Sequence, residues 1–310
     1  MPMQTIVDAR APVAREWLSF DPLDMRERFD KEPFSVRHDL AEHPLLQLPR
    51  LIELAKSLPE HSVEYNAGDV NVNQDAALTP RTGLSVADTL HRIESCRSWM
   101  VLKDVEQDPE YRALLDQCLD QVQRAIAMNA PGMGRRHAFI FVSSPNAVTP
   151  FHADFEHNLL LHIRGDKTIN VWPPEDRAVM AESERERIIA GGQRNLPYRD
   201  ELAAKGRAFP LKPGMGVQVP LSSPHWVKVG DQVSVSFSIT FISDPGYRVK
   251  SIHRVNAFLR RRGLQPREVG ASRVLDDLKF AAFRLVYKAG LLLDRVRPAR
   301  ATLPPKSAMG

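Results

Sequence analysis

From Val233 to Phe241 apolar and small polar residues alternate without a break. In a strand, Val233, Val235, Phe237 and Ile239 would share one face while Ser234, Ser236, Ser238 and Thr240 share the other. One face can pack, and the other can bond a ligand. This run closes a series of short apolar segments that begins after Pro131-Gly132, at residues 137–143, 158–163, 168–172, 216–220 and 232–242. Turn residues separate them, which is the rhythm of an antiparallel barrel. The charged, partly helical stretch 175–210 reads as an insertion on that barrel.

The flanks have helical character instead. Residues 48–54 carry helical periodicity and run towards Pro59, and Ser85 precedes 86–93 as an N-cap. Asp108 and Pro109 supply an N-cap acid and a first-turn proline for a helix through about Ile126, with strand-like residues 99–103 before it. Beyond Tyr247, the residues Leu275, Leu278, Ala282, Leu285, Ala289, Leu292 and Val296 are alternately three and four apart, an a/d seam. Such a seam predicts a helix–helix interface. The chain's own barrel could fill it, and homodimerisation through the C-terminal helices is the preferred reading. The expectation is a mainly β jelly roll with flanking helices. It divides into an N-terminal extension packing on the core (1–130), the β core (131–246), a basic helical region (247–297) and a disordered tail (298–310).

Composition adds boundaries. A chain of 310 residues with 43% hydrophobic and 26% charged residues can bury one substantial core, which excludes wholesale disorder. The first residues lack a basic run followed by an apolar stretch, so no secretion signal is read, and no segment approaches the roughly 18–20 apolar residues that cross a bilayer. Cys96 and Cys118 have no C-x-x-C spacing, which argues against a disulfide framework or a zinc knuckle. A soluble cytoplasmic protein is expected. The net charge of +4 conceals an asymmetry: residues 248–310 hold 15 Lys and Arg against 4 Asp and Glu, so +11 sits there and −7 on the rest. That tail could meet nucleic acid, an anionic membrane surface or an acidic partner, or be a solvated helical face.

Candidate chemistry concentrates between Thr149 and Lys167. In a strand, His152 and Asp154 project to the same side, so an imidazole and a carboxylate can converge on one cation. A second imidazole would complete the two-histidine, one-carboxylate set that suits non-haem Fe(II) and leaves positions open. His225, following the strand 216–220, has the best context of the ten histidines. Of its competitors His137, His157 and His162, the last is expected to pack, and His157 to meet substrate or solvent. Lys167 follows the turn Gly165-Asp166 and opens an apolar strand. An inward lysine needs an anion, and a lysine at the turn would stay in water.

These motifs resemble the JmjC or cupin-like Fe(II)/2-oxoglutarate oxygenases, and within them the asparaginyl hydroxylase that inhibits hypoxia-inducible factor. The resemblance rests on T-P-x-H-x-D at 149–154, Asn158, I-x-G-x-K at 163–167, the strand ending at Trp172–Pro174, and the Pro-Gly strand leading to His225. It covers roughly residues 30–245. It implies a double-stranded β-helix with Fe(II) held by His152, Asp154 and His225. It also implies 2-oxoglutarate contacted by Thr149 and Lys167, with Asn158 lining the same pocket. Ser238 stands on the polar face of the last strand, where that hydroxylase has an asparagine. The implied reaction is hydroxylation of a C–H bond of a protein side chain or small molecule, with release of succinate and CO2. N-methyl demethylation and a non-catalytic metal- or ligand-binding barrel are the alternatives.

Overall fold

The computed structural model describes the backbone of residues 15–296 and the side chains of residues 15–288. Its centre is a pair of antiparallel sheets whose strands come from distant parts of the chain. Short strands β1 (Leu18–Ser19) and β2 (Phe34–His38) flank helix α1 (Pro22–Glu27), and helix α2 (Leu48–Ser57) leads to β3 (Val63–Ala67). Helix α3 (Val86–His91), strand β4 (Ser98–Leu102) and helix α4 (Pro109–Ile126) follow. Next come β5 (Gly134–Ser143), β6 (Val148–Ala153), β7 (His157–Arg164) and β8 (Lys167–Val171), then helix α5 (Glu182–Ile189) and β9 (Arg207–Leu211). The series closes with β10 (Met215–Val219), β11 (Pro224–Val229), β12 (Ser234–Ile242) and helices α6 (Asp244–Arg260) and α7 (Arg273–Val296). The large sheet has the order β1-β2-β10-β7-β12-β5-β4-β3 and the small sheet β6-β11-β8-β9. This is the expected jelly-roll core, and residues before 130 contribute four strands to its large sheet.

The alternation in β12 is realised in three dimensions. Phe237 and Ile239 join Leu159 and Leu161 of β7 in a core that also takes in Leu54 of α2 and Leu115, Leu119 and Val122 of α4. The opposite face of the large sheet looks into the barrel. There Leu160, Val217 and Val219 meet Ile169, Val171, Phe209, Leu211 and Val227 of the small sheet. Because period-2 geometry alternates faces, Ser236 and Ser238 are then left facing the barrel interior, both buried. Helix starts follow their sequence signals: the Ser85 hydroxyl accepts the Asp88 N–H at 3.1 Å, and the Asp108 carboxylate accepts the Glu110 N–H at 2.9 Å.

The stretch 175–210 is only partly an insertion. Its last residues form β9, paired with β8 from Lys167↔Leu211 to Val171↔Arg207. The remainder covers the outer face of the small sheet, where Val179, Met180, Ile188, Ile189, Leu196 and Leu202 pack with Phe151 and Trp172.

The chain separates into two compact units, one ending at Tyr247 and the other beginning at Arg248. In the second unit, α7 carries the described part of the heptad seam, with Leu278 and Leu285 at 61% and 72% exposure. The side chains of Ala289, Leu292 and Val296 and the expected tail 298–310 lie outside the described residues. Among the described residues no helix is long and apolar enough to cross a membrane.

Candidate metal centre

The site is built on β6 and β11, and an irregularity in their pairing decides what faces inward. His225 lies across from His152 and Val227 across from Thr149, so two steps on β11 match three on β6. This is a β-bulge. It lets Thr149 and His152, an odd number of residues apart, present their side chains to the same side, which a regular strand forbids. Pro150 sits within the irregularity, and β6 is an edge strand, where a missing N–H is tolerated. Backbone bonds cover that edge: the Phe151 N–H donates to the Val72 carbonyl at 2.9 Å and the Leu196 N–H to the Phe151 carbonyl at 2.8 Å.

His152, Asp154 and His225 converge. Asp154 Oδ2 lies 3.6 Å from His152 Nε2 and 4.0 Å from His225 Nε2, and the two rings are 4.2 Å apart between centroids. These separations exceed hydrogen-bond range. They approach the roughly 3 Å expected between donors that each stand about 2.1 Å from a shared ion. The tautomers suit that purpose. His152 Nδ1 donates to the Pro150 carbonyl at 2.7 Å and His225 Nδ1 to the Ser223 carbonyl at 3.0 Å. A carbonyl can only accept, so both Nε2 atoms keep lone pairs for the centre. Burial, with His152 adding to it, pushes the His225 imidazole down to about 4, so it is neutral at physiological pH, as a ligand must be. For Asp154 burial opposes the charge, but Arg194, then His152 and His225, outweigh it and hold the carboxyl well below the usual range. The donor set and its orientation fit a divalent metal.

Lys167 opens β8 after a two-residue turn in which Gly165 has φ +73°, and a Cβ there would stand 2.5 Å from the Val233 carbonyl oxygen. A first turn residue of that handedness matches the tight hairpin joining β7 to β8. The turn sends Lys167 inward with Ile169 and Val171, and it is 7% exposed. Burial lowers its amine to about 7, and no carboxylate among the described residues pairs with it. Nearby, His162 Nε2 donates to the Gly165 carbonyl at 2.8 Å, so its Nδ1 accepts the Ser236 hydroxyl at 3.0 Å. Burial, then Lys167, pushes His162 down to about 3, and it packs as a neutral ring. Ser238 Oγ donates to Asn158 Oδ1 at 2.8 Å, joining those two inward residues across β12 and β7.

Two other histidines serve other ends. His157, expected to meet substrate or solvent, is instead fully buried on the outer side of the large sheet, tilted against Phe29 and Phe241. Its odd offset from Asn158 places it on the opposite face, and its Nε2 bonds the Ser243 hydroxyl at 2.8 Å. His137 Nδ1 is engaged by Glu106 Oε1 at 2.7 Å. One residue at the centre carries no sequence signal. Arg194, from the charged stretch before β9, places Nη1 2.6 Å from Asp154 Oδ1.

A family model described as "Cupin-like domain" matches residues 55–268. No curated protein matches the chain. Two solved structures from Escherichia coli have a similar fold. One is ycfD, 15% identical, with 88% of this chain and 69% of that chain covered and a TM-score of 0.51. The other is YcfD, a ribosomal oxygenase, in complex with cobalt and 2-oxoglutarate, 14% identical, with 96% and 77% covered and a TM-score of 0.50.

Proposed function

Because the chain belongs to the cupin-like domain family, we propose that it is an Fe(II)- and 2-oxoglutarate-dependent oxygenase that hydroxylates a C–H bond of a protein side chain or small molecule. The observation that carries this reading is a buried, unpaired lysine inside the same barrel as a two-imidazole, one-carboxylate centre. Either feature alone has ordinary explanations. Together they fit a molecule that binds a metal at one end and carries a carboxylate at the other.

The register gives the spacing. Val171 lies across from His225, Ile169 across from Val227, and Lys167 across from Val229. Lys167 is therefore about 13 Å along the strand from the His225 level, at ~3.3 Å per residue. A lysine side chain and an extended 2-oxoglutarate can together span that distance. Thr149, across from Val227, lies between the two levels. In this reading His152, Asp154 and His225 hold Fe(II), Lys167 neutralises the distal carboxylate, and Thr149 adds a hydroxyl beside it. Asn158 and Ser238 line the pocket as a bonded pair, and the apolar wall of Leu160, Ile169 and Val219 excludes water. When bound, the iron supplies oxygen activation coupled to conversion of 2-oxoglutarate to succinate and CO2. The 2-oxoglutarate bound by the Escherichia coli ribosomal oxygenase is the ligand this pocket would take.

The test is succinate release from 2-oxoglutarate with Fe(II), dioxygen and ascorbate. Wild type should turn over slowly without substrate, and His152→Ala or Asp154→Ala should lower the rate at least about a hundredfold, the scale of losing an essential catalytic group. Equal rates in wild type and variants would overturn the assignment. Formaldehyde among the products of a methylated substrate would shift the reaction to N-methyl demethylation. We also infer that the exposed seam of α7 pairs with a second copy.

A further inference from the structure

We propose that Arg194 is a positioning residue that reserves one oxygen of Asp154, so that the carboxylate meets the metal through a single atom. The inference rests on the reading of His152, Asp154 and His225 as an Fe(II) centre for 2-oxoglutarate. The two oxygens of Asp154 have different neighbours. Oδ2 faces Nε2 of His152 and of His225, at 3.6 and 4.0 Å, while Oδ1 accepts from Arg194 Nη1 at 2.6 Å. A charge-assisted bond of that length competes effectively for a carboxylate lone pair.

The separation matters because of what the centre must accommodate. A metal held by three protein ligands would have to keep its remaining positions open for a 2-oxo acid, which would bind through its carboxylate and keto oxygens, and for dioxygen. An aspartate binding through both oxygens would take up one of those positions. Arg194 prevents this by occupying Oδ1.

The arginine is held in place from both sides. Its carbonyl accepts the Ala153 N–H at 3.2 Å, the neighbouring Asn195 forms a bridge with His152, and Leu196 bonds Phe151. Gln193 Nε2 donates to Asp75 Oδ1 at 3.0 Å and Asn195 Nδ2 to the Gln74 carbonyl at 2.7 Å. The Arg194 side chain is 65% exposed against 28% for Asp154, so solvent screens the pair and limits what it adds to stability. Metal affinity does not account for it either, because a guanidinium beside a cation site weakens cation binding. Orientation of Asp154 explains both facts.

The experiment compares the full-length wild type with Arg194→Met, which has no donor, and Arg194→Lys, which keeps one, after melting curves establish that each is folded. Each protein is titrated with Co(II), followed by its visible absorption, and then with 2-oxoglutarate. In Arg194→Met the Co(II) bands should change before any 2-oxoglutarate is added. Co(II) should bind no more weakly, and 2-oxoglutarate affinity should fall about tenfold, the scale of losing a partner of a metal ligand. Arg194→Lys should recover most of both. Either the Co(II) bands or the 2-oxoglutarate affinity remaining as in wild type in Arg194→Met overturns the proposal. Absence of Co(II) binding in wild type would instead bring down the metal-centre reading, and this inference with it.

Discussion

In the proposed site, Lys167 is a residue that would serve ligand binding at the expense of the fold. A lysine that ordinarily holds its proton to pH 10.5 is pushed down to about 7 by burial, so the ligand-free protein gives up that proton near neutrality. The folded state then binds fewer protons than the unfolded chain between about pH 7 and 10.5, and ligand-free stability should rise as pH climbs through that window. Binding has the opposite sign, since an anion needs the protonated amine. The dissociation constant for 2-oxoglutarate, measured on Co(II)-loaded protein, should increase above pH 7 by about tenfold per unit. Calorimetry at pH 8 in buffers of different ionisation enthalpy should detect proton uptake. Lys167→Met should raise stability near neutral pH, because it removes a buried amine that no described carboxylate pairs with and keeps apolar volume in its place, while abolishing that binding. A variant that lost both would tie the lysine to folding alone. The inward lysine was only half legible, because a lysine that follows a turn and begins an apolar strand can point into the barrel or stay in water at the turn, and the sequence does not choose. The spacing of two put His152 and Asp154 on one side of a strand, and the family resemblance, more than that spacing, proposed them as ligands. Arg194 was not legible, because its role depends on which strand edge its segment covers, and nothing in Gln193–Leu196 marks that.

At the scale of elements, the site depends on two local devices, the bulge in β6 and the turn before β8. The turn can be tested by Gly165→Ala, which forces a Cβ against the Val233 carbonyl oxygen at a left-handed position. A loss of about 1–3 kcal/mol in chemical denaturation is expected, with weaker 2-oxoglutarate binding because Lys167 is the next residue but one. A stability unchanged from wild type would show that the hairpin can relax without cost. Period-2 alternation disclosed β12, a short apolar run between turn residues disclosed β7, and the capping residues disclosed α3 and α4, because each pattern is local. The bulge was hidden, since two-against-three pairing is a property of two strands that are distant in sequence. β9 was hidden too: Arg207-Ala-Phe-Pro-Leu211 contains a proline and little alternation, and it is a strand because β8 offers an edge to it. β2 alternates buried and exposed, but Phe34, Val36 and His38 are too short a series to stand out beside charged neighbours.

For the whole molecule the open question is what covers α7. Leu278 and Leu285 are one heptad apart, and with Leu275 and Ala282 they form a stripe exposed within the single chain. An a/d stripe pairs best with another helix of the same spacing, and the same helix of a second copy has that spacing by construction. The seam itself was visible in the sequence, whereas its occupant was not, because a seam filled by the chain's own barrel has the same spacing. Light scattering coupled to size exclusion should therefore give twice the chain mass of 34.9 kDa. Aspartate at Leu278 or Leu285 would place an unpaired carboxylate in the paired seam, and such a charge costs several kcal/mol when desolvated, so each variant should run as a monomer. Both substitutions lie in the second unit, so folding and Co(II) binding by the first unit provide an internal control. A wild type that is monomeric across the accessible concentration range would remove the second copy as the occupant of the seam, without touching the chemistry assigned to His152, Asp154 and His225.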